Sequence, residues 1–196
     1  NEAVRTSTFW LILVAIGVGA GCMTAVFTHV VPMLTDRGLA ATQATTVLAT
    51  FSIVTALWQV GVGYFLDRFA RPWIAAPFFL IAVAGLLILD SAASYPMLIF
   101  AGTLMGLGLG TEFAILPYFI SRYFGVVHYG AISGTVYGVI LLIQGLSPYL
   151  MGLSFDARGS YGPAVTVIGF GLAFSALLIL RLPRFPALRV MPVAAP

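Results

Sequence analysis

Residues 8–34 read TFWLILVAIGVGAGCMTAVFTHVVPML, 27 residues without one acid, lysine or arginine. A helix needs about 20 predominantly apolar residues to cross the hydrocarbon of a bilayer, and a buried core helix or a signal-peptide core is shorter. The run therefore reads as a retained membrane helix. Five more runs near spanning length follow, at 41–66, 72–92, 95–120, 129–153 and 161–182. Short polar connections separate them at 35–40, 67–71, around Ser94, at 121–128 and at 154–160. No segment alternates apolar and polar residues as barrel strands do. The expected fold is an all-α membrane protein of six transmembrane helices.

Composition supports the same reading. Of 196 residues, 61% are apolar and 8% charged, which leaves too little polar surface for a soluble domain of this length. The net charge of +3 rests on nine arginines, with no lysine, and they are too sparse for a nucleic-acid patch. Cys22, the single cysteine, lies within the first run and reads as a small buried hydrophobe. No cysteine and histidine cluster has metal-ligand spacing, so neither metal nor cofactor is expected.

Arginines set the orientation, because positively charged loops stay cytoplasmic. With the N-terminus inside, Arg5, Arg68, Arg71, Arg122, Arg181, Arg184 and Arg189 are cytoplasmic, and only Arg37 and Arg158 lie outside. Both ends then face the cytoplasm of a cell whose inner membrane holds the protein.

The six runs divide into two sets of three. Gly17, Gly19 and Gly21 recur 89 residues later as Gly106, Gly108 and Gly110. Gly63 and Asp67 recur at the same offset as Gly152 and Asp156, whereas Pro32 with Arg37 recurs at 85 as Pro117 with Arg122. The difference of four predicts an insertion or deletion of about one turn. Three spans per copy make the second copy enter from the opposite side, an inverted repeat of the kind on which alternating access is built. Neither glycine triplet sits at a strand-to-helix turn, so no dinucleotide cradle is implied. Close packing, or local bending of the helix at Gly106, Gly108 and Gly110, is the expectation, with Pro32 and Pro117 removing helix hydrogen bonds nearby.

The second span ends in Gly63-Tyr64-Phe65-Leu66-Asp67-Arg68-Phe69-Ala70-Arg71. This resembles the G-x-x-x-D-R-x-G-R loop of the major facilitator superfamily, with Ala70 where glycine is usual and Pro72 where a basic residue often stands. Gly63 would permit close helix approach, Asp67 would accept from backbone N–H groups at a helix N-terminus, and Arg68 and Arg71 would pair with carboxylates or lipid phosphates. The alternative is a positively charged turn with no gating role. Glu112 through Pro117, Ser121 through Gly125, Tyr129 through Gly134, Gly145 through Pro148 and His29 through Gly38 are similar to bacterial facilitators, nearest the monocarboxylate-porter-like branch. The resemblance implies the C-terminal six-helix half of a twelve-helix carrier. Residues 1–7 would end a central cytoplasmic loop, 8–182 form the membrane domain and 183–196 a cytoplasmic tail. Its partners would be a small solute, membrane lipids and an N-terminal half that shares the substrate cavity.

Glu112 stands in apolar surroundings within the fourth span, where an ionised carboxylate costs at least about 2.5–3.5 kcal/mol. It is a candidate for proton coupling, or alternatively a hydrogen-bonded fastener between helices. Arg122, about 15 Å further along the axis, is too far to pair with it. His29, Gln59, Tyr137 and Gln144 are candidate cavity groups, with Trp58 either beside them or in packing. Many carriers of the resembling branch place a basic residue in the second or fifth span, and this chain has none there.

The function expected is secondary transport by alternating access, proton-coupled, with a small organic anion as leading substrate. Efflux of hydrophobic compounds and a non-transporting scaffold or sensor are the alternatives. An intramembrane serine protease would need a base for Ser133 on a neighbouring span. The only histidines, His29 and His128, precede that serine, opposite to a rhomboid arrangement, so no enzyme is expected.

Overall fold

A computed structural model describes residues 3–186, and Arg189 with the remainder of the expected tail lies outside them. Among the described residues six helical segments are long and apolar enough to cross a membrane, the third only together with the 3-10 turn that leads into it. They are α1 (Ser7–Thr35), α2 (Ala41–Phe69), α3 (Ala76–Ser91), α4 (Tyr95–Phe124), α5 (Tyr129–Arg158) and α6 (Gly162–Leu180). A 3-10 turn at Ala3–Arg5 precedes α1, and another at Pro72–Ala75 leads into α3. The fold is thus all-helical, with no strand among the described residues.

Local chemistry marks the ends. The Thr6 hydroxyl accepts from the Phe9 N–H at 3.3 Å and caps α1. Proline opens the first turn of α3, α4 and α6, where a missing N–H costs nothing. Helices α2, α4 and α5 outrun their apolar runs, which corrects the expected connections. Asp67, Arg68, Ser121, Arg122 and residues 154–158 are all helical. A helix of 29 or 30 residues is about 44 Å long, the thickness of hydrocarbon plus headgroups, so its polar ends remain wound at headgroup depth.

Packing partners reveal the repeat. Helix α4 packs on α2 and α3, α1 packs on α5 and α6, α3 meets α6, and α1 meets α4. Exchanging the first three helices for the last three leaves this pattern unchanged. Helices α1 and α4 end at Thr35 and Phe124, and α2 and α5 at Phe69 and Arg158, each pair 89 residues apart. No insertion separates the copies, contrary to the expectation from the proline and arginine pairs. Pro117 simply sits one turn earlier in an uninterrupted helix than the counterpart of Pro32.

The glycines of α4 bring backbones together. A β-carbon on Gly106 would stand 2.8 Å from the Phe51 carbonyl oxygen, and one on Gly110 would stand 2.7 Å from that of Thr55. Such contacts force α2 away, so only glycine allows this approach. Gly63 is different: a β-carbon there meets nothing within 4 Å, because this face of α2 is unpacked. The expected close approach at Gly63 is absent among the described residues.

Helix α2 ends with Ala70 in the left-handed conformation (φ 46°, ψ 45°), its N–H donating to the Leu66 carbonyl at 2.8 Å. This is where the resembling loop carries glycine, and the backbone explains why: a β-carbon costs about 1–2 kcal/mol in that region. The turn forms with alanine nonetheless. Ala70→Gly is expected to stabilise the purified protein by about 1 kcal/mol, read as a higher unfolding midpoint in detergent; an unchanged or lower midpoint would contradict the cap geometry.

Candidate functional site: a cavity between four helices

Polar side chains recur along one face of α2 at helical spacing: Ser52, Thr55 and Gln59 stand at i, i+3 and i+7. The Ser52 and Thr55 hydroxyls donate to Leu48 and Phe51 carbonyls at 2.9 and 2.8 Å, which satisfies them inside hydrocarbon. This face, with Ala56, forms one wall of a cavity of about 430 Å³. Thr24 and Phe27 of α1, Leu109 and Phe113 of α4 and Gln144 of α5 complete it. The cavity therefore collects hydroxyls, two carboxamides and two aromatic rings from four helices. No charged side chain among the described residues lines it.

Gln59 and Gln144, singled out in the sequence from separate runs, share this wall. His29 and Tyr137 do not line it. His29 sits further along α1, its Nδ1 3.0 Å from the Ala25 carbonyl, and its ring meets Tyr161 edge-on at 5.8 Å. Trp58 turns away from the wall and donates its indole N–H to the Thr111 hydroxyl at 3.0 Å. Ser52, Thr55, Thr24 and Phe113 escaped the sequence reading. The i, i+3, i+7 spacing on α2 was the available signal for two of them.

Glu112 lies in sequence between Leu109 and Phe113 of the cavity but does not line it. It is only 3% exposed, and one carboxylate oxygen, Oε2, has no hydrogen-bond partner among the described residues. Tyr137 of α5 lies within its electrostatic reach. At the end of the bundle carrying the Asp67 motif, the Tyr118 hydroxyl of α4 donates to the Leu66 carbonyl at 3.0 Å. Asp67 and Arg122 both lie within electrostatic reach of that tyrosine, and the Arg122 guanidinium sits 5.8 Å from its ring centroid. Asp67 and Arg68 themselves are exposed and Arg71 half-buried. Ser133 donates to the Tyr129 carbonyl of its own helix at 2.7 Å.

The model of the Major Facilitator Superfamily matches residues 9–193. The chain belongs to this superfamily. Monocarboxylate transporter 12 of Rattus norvegicus is 26% identical over 163 residues, covering 81% of this chain and 33% of that protein. The Homo sapiens protein of the same name is 25% identical over 163 residues, covering 81% of this chain and 31% of its own length. The crystal structure of the E. coli fucose:proton symporter FucP superposes with a TM-score of 0.69 at 18% identity, covering 93% of this chain and 44% of that one. That likeness concerns the fold. The chain thus spans about a third of the curated relatives it matches and under half of the structural neighbour. As a member of this superfamily with six candidate spans, the chain is an integral membrane protein.

A cavity that water enters separates its wall chemically from lipid-facing surface of equal exposure. In a Cys22→Ser background, Gln59→Cys is expected to react with a small charged thiol reagent on the order of tenfold faster than Phe170→Cys, which is 74% exposed on α6. Equal rates would show that the wall is not aqueous.

Proposed function

We propose that the protein moves a small solute by alternating access, with a small organic anion as the leading substrate class and proton coupling as the driving force. The observation that carries this reading is the cavity walled by α1, α2, α4 and α5, whose largely apolar lining carries the hydroxyls of Thr24, Ser52 and Thr55 and the carboxamides of Gln59 and Gln144. Beside it, α2 and α5 present unpacked apolar faces, with Leu57 71% and Leu142 76% exposed. Those faces suit an N-terminal six-helix half, which would close the cavity from the other side. The names of the monocarboxylate relatives and of the proton symporter favour the same class.

An anion needs a cation, and this wall holds none among the described residues. In the proposal the N-terminal half supplies it, while Gln59 and Gln144 orient the solute by hydrogen bonds. The uncharged wall and the rings of Phe27 and Phe113 favour a second reading, proton-driven efflux of hydrophobic compounds. Uptake of labelled carboxylates into proteoliposomes, set against dye extrusion, separates the two. Absence of both fluxes from the intact carrier would leave a scaffold or sensor.

Glu112 is proposed as the coupling group, because a buried carboxyl with an unpartnered oxygen can exchange a proton without breaking an ion pair. Gly63, Asp67, Arg68 and Arg71 are proposed as the inner gate, with Pro32, Pro117, Gly106, Gly108 and Gly110 as places where α1 and α4 bend. Orientation follows the arginines: Arg5, Arg68, Arg71, Arg122, Arg181 and Arg184 fall at one end of the helices and Arg37 and Arg158 at the other. This suits an inner-membrane protein with both termini cytoplasmic.

Two variants test the assignments. Glu112→Gln is expected to lower proton-driven accumulation by about tenfold or more while leaving solute exchange at zero gradient intact; undiminished accumulation would remove Glu112 from coupling. Asp67→Asn should slow flux without lowering the amount of protein inserted in the membrane, and normal flux would take Asp67 out of the gate.

A further inference from the structure

A second cavity, of about 360 Å³, lies away from the solute site, on a floor of α1 between α5 and α6. Its explanation comes from the repeat. At the offset of 89, the side chains of its α5 and α6 walls, Ser147, Ser154, Arg158 and Val167, correspond to Trp58, Phe65, Phe69 and Phe78. In the first repeat Trp58 and Phe78 meet across the equivalent groove, and Phe65 and Phe69 continue the row along α2 with exposed rings. Trp58 lies 5.0 Å from Phe78 and 5.8 Å from Phe65 between ring centroids, and Phe65 stacks on Phe69 at 6.3 Å. The Trp58 indole also reaches Thr111, whose counterpart on the floor of the second groove is Cys22. One groove is thus closed by Trp58 against Phe78, with Phe65 and Phe69 beyond them. Its twin has lost every ring and stands open.

The open groove has a direction. Ser147, Ser154 and Arg158 stand at i, i+7 and i+11, on one face of α5, and span about 16 Å of its axis. That is about half the hydrocarbon thickness, the depth of one leaflet. Floor and far wall are apolar, with Ala164 and Val167 among them, and the arginine marks the end where headgroups lie. Asp156 is two residues before Arg158, about 200° around the helix, so its charge faces away from the groove. An apolar slot one leaflet deep, ending in an exposed guanidinium, has the chemistry of a phospholipid: acyl chain along the floor, phosphate on the arginine.

We propose that the α5–α6 groove binds a single phospholipid of the leaflet on the Arg158 side, its acyl chain replacing the aromatic plug and its phosphate held by Arg158. The site is independent of which solute is carried. The test is photolabelling of the intact protein in phosphatidylglycerol vesicles doped with a diazirine-acyl phosphatidylglycerol, with adducts mapped by mass spectrometry. Adducts are expected on peptides spanning 21–25 and 163–168, and few on the counterpart peptide 110–114. Arg158→Gln should lower groove labelling by about fivefold. A diazirine-acyl diacylglycerol, which lacks the phosphate, should label the wild-type groove equally weakly. Ser147→Trp with Val167→Phe rebuilds part of the plug and should remove the adducts without changing labelling of α3. Where the double variant fails to fold, as judged by gel filtration, Val167→Phe alone serves. Equal labelling of both grooves, labelling indifferent to the plug, or labelling indifferent to both Arg158 and the phosphate would each overturn the proposal. A second polypeptide cross-linked there in place of lipid would overturn it as well.

Discussion

Hydrocarbon offers a peptide group nothing to bond to, and each unsatisfied N–H or C=O costs several kcal/mol there. Every membrane-spanning stretch of this chain is accordingly a helix that closes its own hydrogen bonds. The same constraint governs its polar side chains. Threonine and serine hydroxyls on α2 turn back onto the carbonyl four residues earlier, as Thr45, Thr46 and Thr50 do. A polar stripe can therefore line a cavity without unwinding the helix that carries it. Against this background Glu112 Oε2 stands out, with Ser175 Oγ and Arg122 Nε, as a buried polar atom that has no hydrogen-bond partner among the described residues.

Once the chain is confined to helices, glycine decides how near they come. Gly106 and Gly110 let α2 approach α4 until backbone carbonyls lie where β-carbons would otherwise be. In the other copy, Gly21 meets the Ile143 side chain, at 2.8 Å for a hypothetical β-carbon. Helix pairing thus repeats, while the backbone contact made at α4 is replaced at α1 by contact with side chains. That divergence gives the molecule its specialised surfaces. Polar groups of α2 and α5 meet at one cavity, and aromatic rings close one lateral groove but not its twin.

The two ends of the bundle are held differently. Arg37 donates to the carbonyls of Leu89 and Ala92, binding the α1–α2 connection to the end of α3, where the helix dipole favours a cation. At the opposite end Phe185 packs among Tyr118, Phe119 and Tyr123, with the Arg122 guanidinium 5.4 Å from its ring. The Tyr123 hydroxyl donates to the Pro183 carbonyl there. This aromatic contact secures the segment after α6 beside the Asp67 motif.

The number and type of the elements were legible in the sequence, because apolar length and transfer energy act residue by residue and need no partner. The repeat was legible in Gly17 to Gly21 and Gly106 to Gly110, since glycine marks the faces of α1 and α4 on which neighbouring helices pack closely. Ends were read less well: the apolar runs stop where hydrocarbon stops, yet Asp67, Arg122 and Arg158 stay wound, because headgroup depth still rewards a helix. Only the tertiary structure decided which side chains share a space. Gln59 and Gln144 are 85 residues apart and meet because α2 and α5 flank the same pair of central helices. His29 looked equivalent to them in sequence and faces another place entirely. Proximity across helices depends on rotation and crossing, which arise from packing between segments and are written in no single segment.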